Sequence, residues 1–337
     1  MKVESKLYRK LNSKVECLTC RHRCRLDDGK WGICRVRKNE NGKLYAYNYG
    51  LVSSAAIDPI EKKPFHNFMP GTKALSFGGI SCNFRCQHCQ NYTIAFADLS
   101  YPCREMDVDD VLNMFIETSS DGVAWTYNEP AIWHEFTLDA SKAVKKKGGY
   151  IVYVTNGYMS EKALDQFIEE KTLDAANVDV KAFNEDFYKK VCKAKLEEVL
   201  NSVEYMYSKG IFIELTYLII PTMNDSKDEI AAFAEWVCEL SSRIPVHFSR
   251  FHPDFKMMHL PPTPVETVEM AVKIAYDSGL EYVYAGNIWG HKFENTYCPR
   301  CGELLIEREG FFVRQIKTDG VKCPKCGYRQ NLVLKTH

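Results

Sequence analysis

The sequence predicts an α/β protein: a barrel or partial barrel of βα units, with a cysteine-rich segment before it and a small metal-held unit after it. Three observations carry that expectation. From residue 74 onward short apolar runs alternate with helical patterns, eleven of the fourteen cysteines fall into three tight groups, and after Gly290 the pattern changes to Cys-Pro-x-Cys-Gly knuckles.

Residues 1–40 are rich in cysteine and basic side chains, with Gly29 and Gly32 marking turns. Residues 43–52 alternate loosely and predict a strand, followed by a loop with turn formers at Asp58-Pro59, Lys63-Pro64 and Met69-Pro70-Gly71. Strands are then expected at 74–77, 123–126, 150–155, 175–180, 211–220, 246–251 and 282–285, and helices at 108–118, 131–147, 161–170, 196–209, 227–240 and 264–277. Strands alternating with helices of this length imply βαβ units and a parallel sheet. Seven strands with six helices suit a barrel or partial barrel better than a small doubly wound sheet. Three regions are expected: a four-cysteine metal-binding region at 1–70, the βα domain at 71–290, and an appended domain at 291–337.

Composition narrows the function classes. With 45% hydrophobic and 26% charged residues, the chain is globular rather than disordered, collagen-like or coiled-coil. Forty-four basic residues balance 44 acidic ones, which argues against holding nucleic acid by bulk electrostatics. The longest apolar run, 211–221, is broken by Glu214 and is shorter than the roughly 20 residues a membrane span needs. Residues 1–14 are polar without an apolar core, so no secretory signal is read and a cytoplasmic location is expected.

The grouping of the cysteines at gaps of two and three residues is what metal coordination asks for, because a tight turn can aim nearby thiolates at one centre. Cys82, Cys86 and Cys89 form C-x3-C-x2-C just after the first strand of the βα series, at the end of a strand where barrel active sites lie. Three thiolates can hold three irons of a cubane cluster and leave the fourth open, whereas a structural metal site would take four ligands.

This spacing resembles that of the radical S-adenosylmethionine superfamily. The resemblance implies a [4Fe-4S] cluster on the three cysteines, with S-adenosylmethionine bound at the open iron and split reductively to a 5′-deoxyadenosyl radical that abstracts hydrogen from a substrate. Further segments match the activating-enzyme branch in order. His88 stands where that branch usually has an aromatic residue beside the adenine. Asn128 and Glu129, in Tyr-Asn-Glu-Pro, take the place of Gly-Gly-Glu-Pro, whose polar groups bind the methionine amine. Thr155-Asn156-Gly157 matches Thr-Asn-Gly, and Asp179-Val-Lys181 matches Asp-x-Lys; both are expected near the ribose and carboxylate, with Lys181 the cationic partner. His252, in Arg-Phe-His-Pro, resembles a family histidine near the same carboxylate. Two departures stand out: Ser81 replaces the glycine common before the first cysteine, and Val154 replaces an aspartate that helps bind a monovalent cation.

Cys298, Cys301, Cys323 and Cys326 form two knuckles with 21 residues between them, close to the zinc-ribbon template. Cys17, Cys20, Cys24 and Cys34 are less specific: a second Zn2+ and an auxiliary iron–sulfur cluster both fit, with His22 an alternative ligand and Arg21, Arg23, Arg25, Arg35 and Arg37 offsetting thiolate charge. Cys103, Cys192 and Cys238 read as buried free thiols.

The order of the N-terminal cysteines, Asp58-Pro-Ile-Glu-Lys-Lys-Pro64, the trio followed by Gln90-Asn91, Tyr127-Asn-Glu-Pro130 and a terminal ribbon resembles the radical SAM component of the AmmeMemoRadiSam system. That resemblance implies Memo-like and AMMECR-type partners and an electron donor such as a ferredoxin or flavodoxin. Glycyl-radical activation of a partner protein is the alternative within the class. From another class, a zinc-dependent nucleic-acid or protein-binding module would make the trio a third structural zinc site.

Overall fold

Seven parallel strands lie side by side in the order in which the chain makes them. The structure is a computed structural model and describes residues 1–335. The central sheet consists of β1 (Ser54–Pro59), β2 (Lys73–Gly78), β3 (Gly122–Trp125), β4 (Tyr150–Thr155), β5 (Ala175–Asp179), β6 (Phe212–Ile219), β7 (Val246–Arg250) and β8 (Val283–Gly286). Its spatial order runs from β1 to β8 without a reversal; a doubly wound sheet would reverse at a switch point. Strands β2 to β8 are all parallel, and β1 pairs antiparallel to β2 with Ser54 opposite Gly78.

The crossovers carry α1 (Val108–Glu117), α2 (His134–Lys146), α3 (Glu161–Glu169), α4 (Leu196–Ser208), α5 (Lys227–Ser241) and α6 (Val265–Asp277). Local chemistry sets several of their starts. Asp107 and Asp110 form a reciprocal capping box on α1, while Ser160 and Ser226 accept the third backbone amide of α3 and α5, satisfying donors that a helix start otherwise leaves unpaired.

Both faces of the sheet are buried, as a parallel sheet requires. Leu75, Phe77, Val123, Trp125, Ile151, Tyr153 and Val178 belong to the main core with the helices. On the other face, the small side chains of Ala74, Ala124 and Ala175 leave room for Ile60, Phe65 and Phe68. Segment 60–68 thus fills one end of the sheet's inner face. The buried carboxylate of Glu214 anchors it by accepting the amides of His66, Asn67 and Phe68 at 2.8–3.1 Å and meeting His247 Nε2 at 2.6 Å. His247 is therefore structural.

Expected and observed βα elements agree to within a residue or two. The expected helix at 131–147 opens instead with a 3-10 turn, Pro130–Trp133, because Glu129 caps it through the Ala131 amide. The expected strand at 43–52 is two pieces, Lys43–Ala46 and Leu51–Val52. Residues 54–59, read as the start of a loop, form β1; Pro59 sits at its last position, on the sheet edge where its missing N–H costs no ladder bond.

Small antiparallel sheets flank the centre: two three-stranded ones within residues 3–46, and one of Thr296–Tyr297, Leu304–Glu309 and Phe312–Ile316. Among the described residues no helix is long and apolar enough to cross a membrane.

Candidate functional site

The C-terminal strand ends converge on one cavity of about 260 Å³. Cys82, Cys86 and Cys89 line it from the loop after β2, Asn128 and Glu129 from the end of β3, Asn156 from β4, and Asp179 and Lys181 from β5; Ser249 of β7 and Asn287 after β8 close the ring. Pro64, at the end of the filling segment, lies in its wall and accepts the Asn177 side-chain amide at 2.7 Å.

The loop that carries the trio is held from both sides. Gly79 passes so close to Trp133 that an added Cβ would lie 3.0 Å from the indole ring. Asn128 bridges this loop to β3: its Oδ1 accepts the Gly79 amide at 3.0 Å and its Nδ2 donates to the Ser81 carbonyl at 2.7 Å. The Phe84 amide reaches Cys82 Sγ at 3.3 Å, and Asn156 Nδ2 lies 3.8 Å from the same sulfur.

Glu129 is the buried anion of the site. Its carboxylate accepts Thr155 Oγ1 at 2.7 Å and the amides of Ala131 and Asn156, each at 2.8 Å. Burial nevertheless pushes its pKa up to about 7 against these hydrogen bonds. Across the cavity Lys181 Nζ pairs with Asp179 at 2.7 Å; burial opposes the ammonium, and the Asp179 charge with nearby thiolates outweighs it, raising the pKa. Burial, helped by Lys181, holds His88 down at about 3, so its imidazole is neutral, and its Nδ1 is a buried atom without a partner. Burial raises all three thiols; for Cys86 the largest cause is a hydrogen bond with Cys192.

These observations test the trio against the expected cluster. Among the described residues, only the C-terminal cysteines form a group whose ligand atoms all lie within 4.8 Å of one another. The trio's sulfurs are spread wider than one ion would hold them, share a cavity, and receive amide donors. The donor set fits a cluster whose irons each take one thiolate, and a single zinc ion fits it poorly.

One expected site residue lies elsewhere. His252 is exposed, its Nδ1 lies 3.0 Å from the Pro253 carbonyl, and it is absent from the cavity wall. Where β7 ends, Phe251 turns into the core and the next side chain faces solvent; Ser249 occupies the wall instead. Thr155 also stays out of the wall and acts through Glu129. Of the three cysteines expected as buried free thiols, Cys192 is buried beside Cys86, whereas Cys103 and Cys238 are only half-buried. Sequence reasoning missed Ser249, Asn287 and the contact of Tyr127 with Asp58. Tyr127 OH donates to Asp58 at 2.9 Å, and Lys63 Nζ sits 2.7 Å from the same carboxylate, which ties the Asp58–Pro64 motif to the cavity. That motif and the tyrosine were visible in the sequence, but nothing there joined them.

Cys298, Cys301, Cys323 and Cys326 do come together, with sulfur pairs 3.6 and 3.7 Å apart. Zinc–sulfur bonds of about 2.3 Å place tetrahedral sulfurs about 3.8 Å apart, so the group can hold one metal ion. Cys17, Cys20, Cys24 and Cys34 line a separate, largely enclosed hole. His22 turns its Nε2 to the Asn83 carbonyl at 2.9 Å.

A singly wound α/β sheet whose strand ends gather three thiols, a buried carboxylate and a lysine around one cavity defines a cofactor-using class of protein. The chain belongs to the radical SAM superfamily, whose sequence profile matches residues 79–237. An uncharacterized protein of Methanocaldococcus jannaschii is 45% identical over 336 residues, covering 98% of this chain and 99% of that one. A putative glycyl-radical enzyme activating enzyme of the same organism is 26% identical over 171 residues, 48% of this chain and 61% of that one. Among solved structures, Streptococcus suis SuiB bound to S-adenosylmethionine matches 68% of this chain and 54% of its own, with a TM-score of 0.51 at 10% identity, a likeness of fold. Members of the superfamily are enzymes, and membership implies a [4Fe-4S] cluster and S-adenosylmethionine.

Proposed function

We propose that Cys82, Cys86 and Cys89 hold the [4Fe-4S] cluster and that the cavity beside them binds S-adenosylmethionine for hydrogen abstraction from a substrate. When bound, the cluster supplies the electron that splits S-adenosylmethionine into methionine and a 5′-deoxyadenosyl radical. The observation that carries this reading is the meeting of the trio with Glu129 and Lys181 in one cavity. Glu129, oriented by Thr155 and Asn156, holds the cofactor's ammonium, and Lys181 faces its carboxylate. Neutral His88 packs beside the adenine without adding charge. Asn128 keeps the cysteine loop in register with β3, and burial of the cavity walls excludes water from the radical.

The unreversed strand order supports an open, partial barrel around this site, and the spacing of the C-terminal sulfurs supports a zinc ribbon. The three regions 1–70, 71–290 and 291–337 are read as functional units, with β1 of the first completing the sheet of the second. The motif order supports the AmmeMemoRadiSam reading, with Memo-like and AMMECR-type partners, a ferredoxin or flavodoxin donor and a reducing cytoplasm as its setting. A second reading, activation of a partner's glycyl radical, is favoured by the partial match to an activating enzyme.

Anaerobically reconstituted protein reduced with dithionite is expected to release 5′-deoxyadenosine from S-adenosylmethionine. Fully loaded protein that yields none would sink the proposal. A glycine-centred radical signal on a co-expressed partner would single out the activase reading.

A further inference from the structure

Four sulfurs at the N-terminus surround a space that one ion would not leave. Cys17, Cys20, Cys24 and Cys34 all line a small, largely enclosed hole wide enough for a water-sized sphere, shared with Thr19, Arg37 and Ile132. No three of these sulfurs lie within 4.8 Å of one another, whereas the C-terminal set meets that spacing in full. A tetrahedral zinc would draw four sulfurs to about 3.8 Å and fill the centre. A cubane cluster instead hangs each thiolate on a different corner, so the sulfurs stand farther apart around a larger centre.

A second observation points to a ligand in the hole. Arg37 is buried and lines it, yet its Nε is a donor with no partner, although its other nitrogens bond Glu135, Ser5 and the Ile132 carbonyl. A buried N–H without an acceptor is costly, and an inorganic sulfide or cysteine sulfur on a cluster would accept it. Hydrogen bonds to cluster sulfurs are among the usual levers on such centres.

The hole is also tied directly to the radical site. Ser81 Oγ donates to the Cys34 carbonyl at 2.6 Å. Arg85 donates from one nitrogen to the Cys82 carbonyl at 2.6 Å and from another to the Ile33 carbonyl at 2.8 Å. His22 reaches the carbonyl of Asn83. Both flanks of Cys82 are therefore bonded to the loops that carry the four N-terminal cysteines.

We propose that Cys17, Cys20, Cys24 and Cys34 hold a second [4Fe-4S] cluster that passes single electrons to the trio's cluster across the Cys34–Ser81–Cys82 contact. The donor is a low-potential one-electron reductant, dithionite in the assay; each transfer oxidises one cluster by one electron and reduces the other, with no bond made and no proton moved. The electron path rests on the cofactor reading of the trio, whereas the assignment of the second cluster is tested in a chain that lacks the trio.

The full-length variant Cys82→Ala/Cys86→Ala/Cys89→Ala keeps every N-terminal ligand. After anaerobic reconstitution it is expected to retain about four irons and four sulfides per chain with the Mössbauer doublet of a [4Fe-4S] centre, against about eight irons for the unaltered protein. Fewer than one iron, two irons as a binuclear centre, or adventitious ferric iron in that variant would each overturn the assignment, whether or not zinc replaces it. A Cys20→Ala/Cys24→Ala variant that folds should retain about four irons. For the electron path, the dithionite-reduced full-length protein should show electron paramagnetic resonance lines broadened by spin–spin coupling between two nearby clusters. A spectrum equal to the trio-less variant's plus a lone trio signal would overturn the path.

Discussion

Ser81 donates its hydroxyl to the carbonyl of Cys34 at 2.6 Å while holding a φ of +65°. Left-handed backbone at a residue with a Cβ is strained, which is why glycine is the ordinary choice there. Here the side chain returns the cost by satisfying a buried carbonyl 47 positions earlier. Ser81→Ala keeps the strain and orphans the carbonyl, so it is expected to lower unfolding free energy by about 1–3 kcal/mol. Ser81→Gly relieves the strain as it loses the bond and should fall between Ala and wild type. Urea midpoints in that order support the account; an Ala variant as stable as wild type contradicts it.

Glu129 sets a second expectation. Only its anion attracts an ammonium, and burial has raised its pKa to about 7. Affinity for S-adenosylmethionine should therefore be full above pH 7 and weaken as pH falls, approaching a tenfold loss per unit well below about pH 7. Glu129→Gln keeps the shape but loses the charge, and should bind about ten- to hundredfold more weakly, the loss of a charged hydrogen bond of about 1.5–3 kcal/mol. Equilibrium dialysis at several pH values, with iron content unchanged in the variant, reads both effects. A pH-independent affinity would show that the carboxylate does not meet the amine.

The buried pair of Arg37 and Glu135 makes stability pH-dependent. Burial opposes the Glu135 charge, but Arg37, with two hydrogen bonds at 2.6 and 2.9 Å, holds the carboxyl down to about 2 from an ordinary 4.5. A depressed carboxyl pKa gives stability that is present above the unfolded value and lost as pH falls through the folded one. Stability should accordingly drop between about pH 4.5 and 2. Glu135→Gln leaves the guanidinium buried and unpaired, at an expected cost of about 3–5 kcal/mol at neutral pH. Urea unfolding of both proteins at pH 7 and pH 3 should show the gap between them narrowing in acid.

His252 serves as the negative control. Because it faces solvent, His252→Ala should leave S-adenosylmethionine affinity unchanged, while Asn156→Ala, which removes a side chain bonded to Asn83 at 2.9 Å in the cavity wall, should weaken it. A large loss on His252→Ala would mean that the 251–260 segment folds over the bound cofactor.

The misplacement of His252 shows what kind of information the sequence carries. Period and turn chemistry located the βα elements because each strand is buried on both faces and each helix on one, so apolar runs mark them directly. Register is subtler: one position along a strand end exchanges wall for solvent. β1 was missed because it is a partly exposed edge strand, Ser-Ala-Ala-Ile-Asp-Pro, whose last two positions, Asp58 and Pro59, read as turn formers. Glu214 and His247 look ordinary until the chain returns residues 66–68, nearly 150 positions away, to meet them. Lone Cys192 offers no spacing to read, and only the fold sets it against Cys86.

The C-terminal unit reaches the site through segment 60–68, and that contact gives the last expectation. Arg308 is wholly buried and bonds the His66 carbonyl at 2.6 Å and Thr296 Oγ1 at 2.8 Å, with its Nε 3.5 Å from Glu61. Val333 donates to the Asn67 carbonyl at 2.9 Å, and Asn67 donates to Asn331 at 2.8 Å. The four cysteines close the small sheet that presents Arg308, so loss of a metal held between them should release both ends of this clasp. Free energy of metal binding in such units is folding free energy. Cys298→Ser/Cys301→Ser is therefore expected to lose one metal equivalent and several kcal/mol of stability, on the order of what loss of a structural site costs. Limited proteolysis should cut first within 296–330 and then near 60–70, and affinity for S-adenosylmethionine should fall because Pro64 lines its cavity. If cleavage stays within 296–330 and affinity holds, the small C-terminal sheet is an independent appendage and the clasp does not support the site.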